Sequence, residues 1–427
     1  MLKIALVSDH ASPLAAPGGI DCGGQNVYVA HLAAQLARAG YQVDIFTRRD
    51  SPAQKQVVRW KQNIRVIQVP AGPPRYLPKE KLLPYMGAFA HFMIRFARRQ
   101  KIGYDVVHAN FFMSGLVAQQ IREALGIPFV ITFHALGIVR RLAQGAADGF
   151  PDRRIAIEHS LMREADRIVA ECPQDRLDME RHYGADRSRI DIVPCGFDPQ
   201  EMWPVRQQAR WRLGLAPGEF IVLQLGRMVP RKGVDNVIDS VALLRERYGI
   251  NAHLLIVGGE VDCGAAQASP EMARLIERAA ALGLEKQVSF TGQKAREELL
   301  YYYSAADVFV TTPWYEPFGI TPLEAMACAT PVVGAAVGGI RSTVLEGRTG
   351  YLVPPRNPLA LAERLALLHD DPAHARELGE EGWRRAHQFY TWRSVAERLA
   401  AIYENVAAAS GNAVAARCRQ TATAQVF

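Results

Sequence analysis

Short runs of β-branched and leucine-rich residues alternate with longer segments of helical periodicity, and the pattern occurs twice. Strands separated by helices pair in parallel, with helices covering both faces of the sheet, so this alternation constrains the fold more than any other feature. In the first half, strands are predicted at 3–7, 43–47, 66–69, 106–109, 129–133, 167–170 and 190–194. A glycine-rich loop follows the first of them. Val29, Leu32, Ala33 and Leu36 then mark one face of a helix that stops at Gly40. The pattern restarts after Pro204, with strands at 220–225, 254–257, 288–291, 308–311, 331–334 and 350–353. Val234, Val237, Ile238 and Val241 trace the helix face that follows the first of these.

Two complete sets with a break near residue 200 predict an α/β chain of two Rossmann-like domains facing a cleft. Residues 1–200 form the N-terminal domain and 201–385 the C-terminal one. Residues 386–407 read as a helix carrying Phe389, Tyr390, Trp392 and Tyr403 that crosses back to the first domain. Few large apolar groups occur in 408–427, and that tail is expected to be disordered. Parallel sheets of this kind bind ligands beyond the carboxyl ends of their strands, so the strand-to-helix loops are where chemistry is sought.

Bulk properties narrow the classes. With 427 residues, 49% of them hydrophobic and 22% charged, the chain is long enough for two buried cores. The formal charge of +7 suits an anionic ligand, but no Lys/Arg block with interleaved aromatics points to nucleic acid. Cys22, Cys172, Cys195, Cys263, Cys328 and Cys418 form no CxxC pair and are expected to be reduced, mostly buried thiols. The apolar start Leu2–Val7 runs at once into Ser8, Asp9 and His10, too short for a signal-peptide core. No apolar run reaches the roughly 18 residues of a membrane span. The expected location is cytoplasmic, with peripheral contact to the inner face of the membrane left open.

Three loops carry residue types suited to chemistry. Residues 18–26, Gly-Gly-Ile-Asp-Cys-Gly-Gly-Gln-Asn, lie between the first strand and the first helix. Glycines there let backbone approach an anion or a sugar at a helix start. The spacing is not GxGxxG, which argues against a dinucleotide fingerprint. Leu225-Gly226-Arg227 through Arg231-Lys232-Gly233 stands between a strand and a helix. A guanidinium and an ammonium at the carboxyl end of a parallel strand suit a diphosphate, with Arg231 left as surface. Glu316-Pro317-Phe318-Gly319-Ile320-Thr321-Pro322-Leu323-Glu324 places two carboxylates eight positions apart. Thr321 and Glu324 have capping-box spacing, which explains Glu324 without a ligand. Glu316, in a loop with Trp314, Tyr315 and Phe318, suits sugar hydroxyls, and the Gly319 and Ile320 N–H groups suit phosphate. His134 ends a strand at the ligand edge and is favoured over His108. No HxxxH, Cys/His cluster or Asp-x-Asp pair suggests a metal.

Together these segments resemble the retaining glycosyltransferases of family four, with the two-domain GT-B architecture. The resemblance rests on Gly23-Gly24-Gln25, on Arg227 with Lys232, and on the Glu316/Glu324 stretch, and covers roughly residues 1 to 405. In layout the chain is similar to the branch of sucrose-phosphate synthase and the inositol-phosphate N-acetylglucosaminyltransferases.

The resemblance implies a hexosyl transfer from a nucleotide-sugar, UDP- or GDP-linked, without metal, cofactor or covalent intermediate. Arg227 and Lys232 would hold the donor diphosphate, with Gly226, Gly319 and Ile320 beside it. Glu324 would bind the ribose and Glu316 the donor sugar. His134 would lie next to that sugar, and the Gly23 and Gly24 backbone close to the reacting centre. The acceptor would be a sugar, sugar-phosphate or glycan, with a lipid-linked one as a further possibility. Asn26, Lys79, Arg153 and Arg154 are the acceptor-side candidates. The chain departs from the inositol-phosphate enzymes at Phe111 and Ala135, which stand at a Tyr and a Thr of that pattern, so two hydroxyls for an acceptor phosphate are missing. The alternatives are another sugar-nucleotide enzyme of the same architecture, such as an epimerase, or an inactive nucleotide-sugar-binding protein.

Overall fold

The computed structural model describes residues 2–15, 23–145, 148–259 and 269–424, with side chains as far as residue 411. Two compact units account for them. The first takes residues 2–15, 23–194 and the chain from Trp392 onward; the second takes 195–391.

The first unit opens with β1 (Lys3–Val7), α1 (Gly24–Arg38), β2 (Gln42–Arg48), β3 (Val57–Lys61) and β4 (Ile64–Val69). It continues through α2 (Met86–Gln100), β5 (Val106–Asn110), α3 (Phe112–Leu125), β6 (Phe129–Thr132) and α4 (Gly137–Gln144). Then come α5 (Arg153–Glu164), β7 (Arg167–Ala170), α6 (Pro173–Tyr183) and β8 (Ile190–Ile192). The sheet order is β3-β4-β2-β1-β5-β6-β7-β8, parallel except for β3. β1 and β5 are buried almost throughout, as expected of strands covered on both faces.

β3 was not expected from the sequence pattern. Its residues Val57-Val58-Arg59-Trp60-Lys61 alternate between exposed and half-buried, and its cations interrupt the apolar signal. Such charge on an exposed edge discourages pairing with another sheet.

The second unit holds α7 (Arg206–Arg212), β9 (Phe220–Leu225), α8 (Val234–Tyr248), β10 (Ala252–Val257), α9 (Pro270–Ala281) and β11 (Val288–Gly292). α10 (Arg296–Ala305), β12 (Val308–Thr311), α11 (Ile320–Ala327), β13 (Val332–Ala335) and α12 (Ile340–Thr343) follow. β14 (Gly350–Val353), α13 (Pro358–Asp370) and α14 (Pro372–Phe389) complete it. Its sheet is wholly parallel, in the order β11-β10-β9-β12-β13-β14. Both sheets therefore reverse direction of winding beside their first strand, between β1 and β5 and between β9 and β12. The carboxyl ends at such a switch point are where a crevice opens.

The helix expected over 386–407 is two helices. α14 ends at Phe389, and α15 (Trp392–Ala424) begins three residues later. Thr391 forms a bridge with Phe197, while Phe197 N donates to the Tyr390 carbonyl (2.9 Å), which takes the chain out of helical geometry. α15 packs on α1 in the first unit. Trp392, fully buried, stacks on His31 and meets the edge of Tyr28. The tail expected to be disordered also differs: 408–424 continue α15 as helix, consistent with the high helix propensity of its many alanines. Cys172, Cys195 and Cys328 are buried and form no disulfide among the described residues. No helix among the described residues is long and apolar enough to cross a membrane.

Candidate active site

In the second unit, the loops after β9 and β12 are joined by local geometry. Pro230–Lys232 form one 3-10 turn closed by Gly233 at φ +65°. A Cβ on Gly233 would stand 2.2 Å from the Thr312 carbonyl oxygen, so only glycine lets the turn lie against the second loop. Thr312 Oγ1 donates to the Gly233 carbonyl (3.0 Å), Trp314 N to the Arg231 carbonyl (3.1 Å), and Arg231 Nη1 to the Tyr315 carbonyl (3.0 Å). This zipper delivers Lys232 to Glu316, and Lys232 Nζ donates to Glu316 Oε2. Arg231 Nη1 lies 3.5 Å from the same oxygen. Arg231 is thus part of the cluster, not the surface charge expected. Its partners lie 84 and 85 positions away, beyond any local pattern.

Three cations act on one carboxylate here. Burial alone would push the Glu316 carboxyl up, but the charges of Lys232, Arg231 and Arg227 outweigh it and hold Glu316 at about 2. Burial lowers the pKa of Lys232, against the pull of Glu316. An anion brought there meets charge already fixed in place.

Glycines shape the remaining wall. Gly226 leaves β9 with φ +154° and open space where a Cβ would be. Gly319, at φ +90°, precedes α11, whose first residue is Ile320. A Cβ on Gly338 (φ +46°) would fall 1.7 Å from the Glu316 carbonyl oxygen, and Gly339 N donates to the Pro317 carbonyl (2.9 Å).

The cap expected at Thr321 is not made. α11 starts before Thr321, with Gly319 as its N-cap, so the hydroxyl is inside the first turn. Glu324 is buried and held instead by Arg296 Nη1 on Oε1 (2.7 Å) and Tyr303 OH on Oε2 (2.8 Å). An ionised carboxylate accepts about four hydrogen bonds, so both oxygens keep capacity.

In the first unit the carboxyl ends of β1, β5 and β6 converge on a hydrogen-bonded network around His134. His134 stands just past β6 at φ +57°. Its Nδ1 is 2.9 Å from Glu171 Oε1 and its Nε2 3.1 Å from Asn110 Oδ1. The edge of its ring meets Tyr28 at 4.8 Å between centroids. Gln25 Nε2 donates to Ser8 Oγ (3.1 Å) and to the Asn110 carbonyl (3.2 Å), which ties the start of α1 to β1 and β5. Gly23 is the N-cap of α1. Asn26 Oδ1 accepts from Gly23 N (3.0 Å) and Asn26 Nδ2 donates to the Ser12 carbonyl (2.9 Å). Gly24 is exposed beside them. Residues 18–22 of the glycine motif lie outside the described residues.

His108 is fully buried between Tyr403 OH (2.6 Å) and Thr132 Oγ1 (2.9 Å). Burial, with His134 nearby, pushes it down to about 3, so it is a neutral core group.

The acceptor-side candidates are not alike. Arg154 is buried, with Nε on Glu158 Oε1 (2.7 Å), Nη2 on the Ala135 carbonyl, and Phe111, Phe112 and Phe150 around the guanidinium. Only its Nη1 has no hydrogen-bond partner. Arg153 is exposed, and Lys79 Nζ lies 3.6 Å from Glu80. Sequence reading missed Asn110, Glu171 and Arg296; each is isolated in the chain and gains meaning only from its partner.

Residues 22–201 match the model of Glycosyltransferase Family 4, and 205–385 that of Glycosyl transferases group 1. The D-inositol 3-phosphate glycosyltransferase of Corynebacterium glutamicum (strain R) is 36% identical over 415 residues, 95% of this chain and 97% of the relative. The chain belongs to glycosyltransferase family 4. A second relative of this glycosyltransferase, the D-inositol 3-phosphate glycosyltransferase of Kineococcus radiotolerans, is 38% identical over 94% of both chains. Among solved structures, sucrose-phosphate synthase from Thermosynechococcus elongatus superposes with a TM-score of 0.88 at 35% identity, covering 96% of this glycosyltransferase and 100% of the synthase. The two parallel-sheet units are accordingly those of the GT-B glycosyltransferases.

Proposed function

We propose that the protein is a retaining hexosyltransferase that takes its sugar from a UDP- or GDP-linked donor, without metal or covalent intermediate. The observation that carries this reading is the convergence of Lys232, Arg231 and Arg227 on Glu316 where the loops after β9 and β12 meet. Arg227 and Lys232 receive the negative charge that builds up as the nucleoside diphosphate leaves, the task a divalent ion performs elsewhere. Glu316, kept ionised, accepts hydrogen bonds from donor-sugar hydroxyls. The N–H groups of Gly319 and Ile320 and the open side of Gly226 serve the diphosphate. Glu324 takes the ribose hydroxyls on lone pairs left by Arg296 and Tyr303.

On the first unit, His134, held by Glu171 and Asn110, serves the donor sugar, and Gly23 and Gly24 offer backbone to the reacting centre. The acceptor is a sugar, sugar-phosphate or glycan. The relatives' names speak of inositol 3-phosphate and sucrose phosphate, which favours a phosphosugar. Arg154 is committed to Glu158, so the acceptor phosphate is assigned to Arg153 and Lys79.

The test is incubation with UDP-, GDP- and ADP-sugars against pools of sugars, sugar phosphates and glycans, following nucleotide release and the anomeric configuration of the product. Retention with one donor class, lost in Arg227→Ala and Lys232→Ala, supports the reading. Inverted product, or near-normal turnover in both variants, refutes it.

A further inference from the structure

A second concavity lies at the opposite ends of the strands of the first unit. Because β1, β2 and β4 run parallel, their amino ends gather Lys3, Gln42, Val43, Asp44, Ile64 and Arg65 at one edge. β3 runs the other way and adds Arg59 and Lys61 from its end. With Tyr104 in the floor, the cavity measures about 520 Å³, within the usual range for a small-molecule pocket.

Its charges do not balance. Asp44 is the sole carboxylate in the lining, and most of its capacity is taken: Arg65 Nε and Nη2 grip its two oxygens (2.7 and 2.5 Å), and Tyr104 OH donates to Oδ2 (2.5 Å). That leaves Lys3, Arg59 and Lys61. None of their side chains has an acidic partner among the described residues; Lys61 only rests on the Trp60 ring, 4.7 Å from its centroid. Like charges gathered around one hollow repel each other, and an anion between them relieves that repulsion. Gln42, Gln62, Asn63 and Gln100 add amide donors for hydroxyl or phosphoryl oxygens.

We propose that this pocket is a second anion site, separate from the sugar-transfer chemistry, that binds a phosphate ester through Lys3, Arg59 and Lys61. The ester is either a free metabolite-sized phosphate or the headgroup of a phospholipid, and the chemistry of recognition is the same.

The experiment titrates the full-length protein with inorganic pyrophosphate by calorimetry, and separately co-sediments it with phosphatidylglycerol vesicles. The Lys232→Ala background isolates this pocket from the candidate active site. On that background, Arg59→Glu/Lys61→Glu is expected to weaken pyrophosphate binding at least tenfold if the source is a free ester. If the source is a headgroup, the same pair abolishes vesicle binding. The charge-reversed pair alone keeps its basal nucleotide release, since neither residue belongs to the transfer machinery. Arg95→Glu/Arg99→Glu, exposed on α2 outside the pocket, serves as a control for general charge attraction. Both ligands binding the Arg59→Glu/Lys61→Glu variant unchanged, or the control pair costing as much, would overturn the proposal. Loss of all pyrophosphate binding in Lys232→Ala alone would also overturn the free-ester form, while leaving the assignment of Lys232 intact.

Discussion

The carboxyl edges of the two sheets are built on one topology and filled with different chemistry. After β9 and β12 the chain gathers fixed charge: Arg231 and Lys232 on Glu316, with Arg227 close enough to bias it. After β1, β5 and β6 it gathers mostly neutral donors and acceptors, Gln25, Asn110 and Ser8, with His134 held by Glu171. The fold supplies the place twice, and the loops decide what is done there.

The contrast can be broken at several points. Lys232→Ala carries the largest expected effect. It removes the main partner of a buried carboxylate, at a cost of about 3–5 kcal/mol in stability, and lowers turnover about a hundredfold or more. Urea unfolding and single-turnover nucleotide release measure the two separately. If Lys232→Ala changes neither, the charged edge is ornamental.

Gly338→Ala comes next. A methyl 1.7 Å from the Glu316 carbonyl forces the loop open, with an expected loss of about 3 kcal/mol. Gly24→Ala, on an exposed helix start, is the matched control and should cost little stability.

Acid should separate the two units. His108 has a folded value of about 3 against an ordinary 6.5, so its neutral form is favoured in the fold. The stability this contributes is full above pH 6.5 and drains as pH falls from 6.5 toward 3. Glu316 has a folded value of about 2 against 4.5; its contribution is full above pH 4.5 and drains between 4.5 and 2. Hydrogen exchange across a pH series should show β5 and α15 losing protection before β9 and β12. The reverse order would mean that these two groups do not govern acid sensitivity.

Asn26→Ala is the mildest change. It removes the reciprocal bond to Gly23 and the bond to Ser12 at the head of α1, worth about 0.5–2 kcal/mol. A shift in melting temperature without a change in acceptor KM would mark Asn26 as a cap alone; a raised KM would give it the acceptor role as well.

Local pattern revealed what depends on neighbours in sequence. The strand before Arg227 and Lys232 is a continuous apolar run, and a cation in the loop after it can be read directly. Glu316 stood out because nothing nearby explained it. By contrast, Arg231 looked like surface because its partners come from β12's loop, and Glu324 looked like a cap because Arg296 and Tyr303 are separated from it by 28 and 21 residues. His134 was legible as a position; its orientation was not, since Asn110 and Glu171 sit on other strands' ends. β3 escaped because an exposed edge strand has no apolar face to advertise.

The return of α15 to the first unit has a consequence for biosynthesis. Trp392 and Tyr403 complete the wall over α1 and over His108, yet they are translated only after the whole of the second unit. The lobe translated first is therefore the last to be finished, and it must wait, with His108 uncovered, while the whole of the other lobe is made. A nascent chain stalled before residue 392 should already hold a protease-resistant second lobe and a still-cleavable first one.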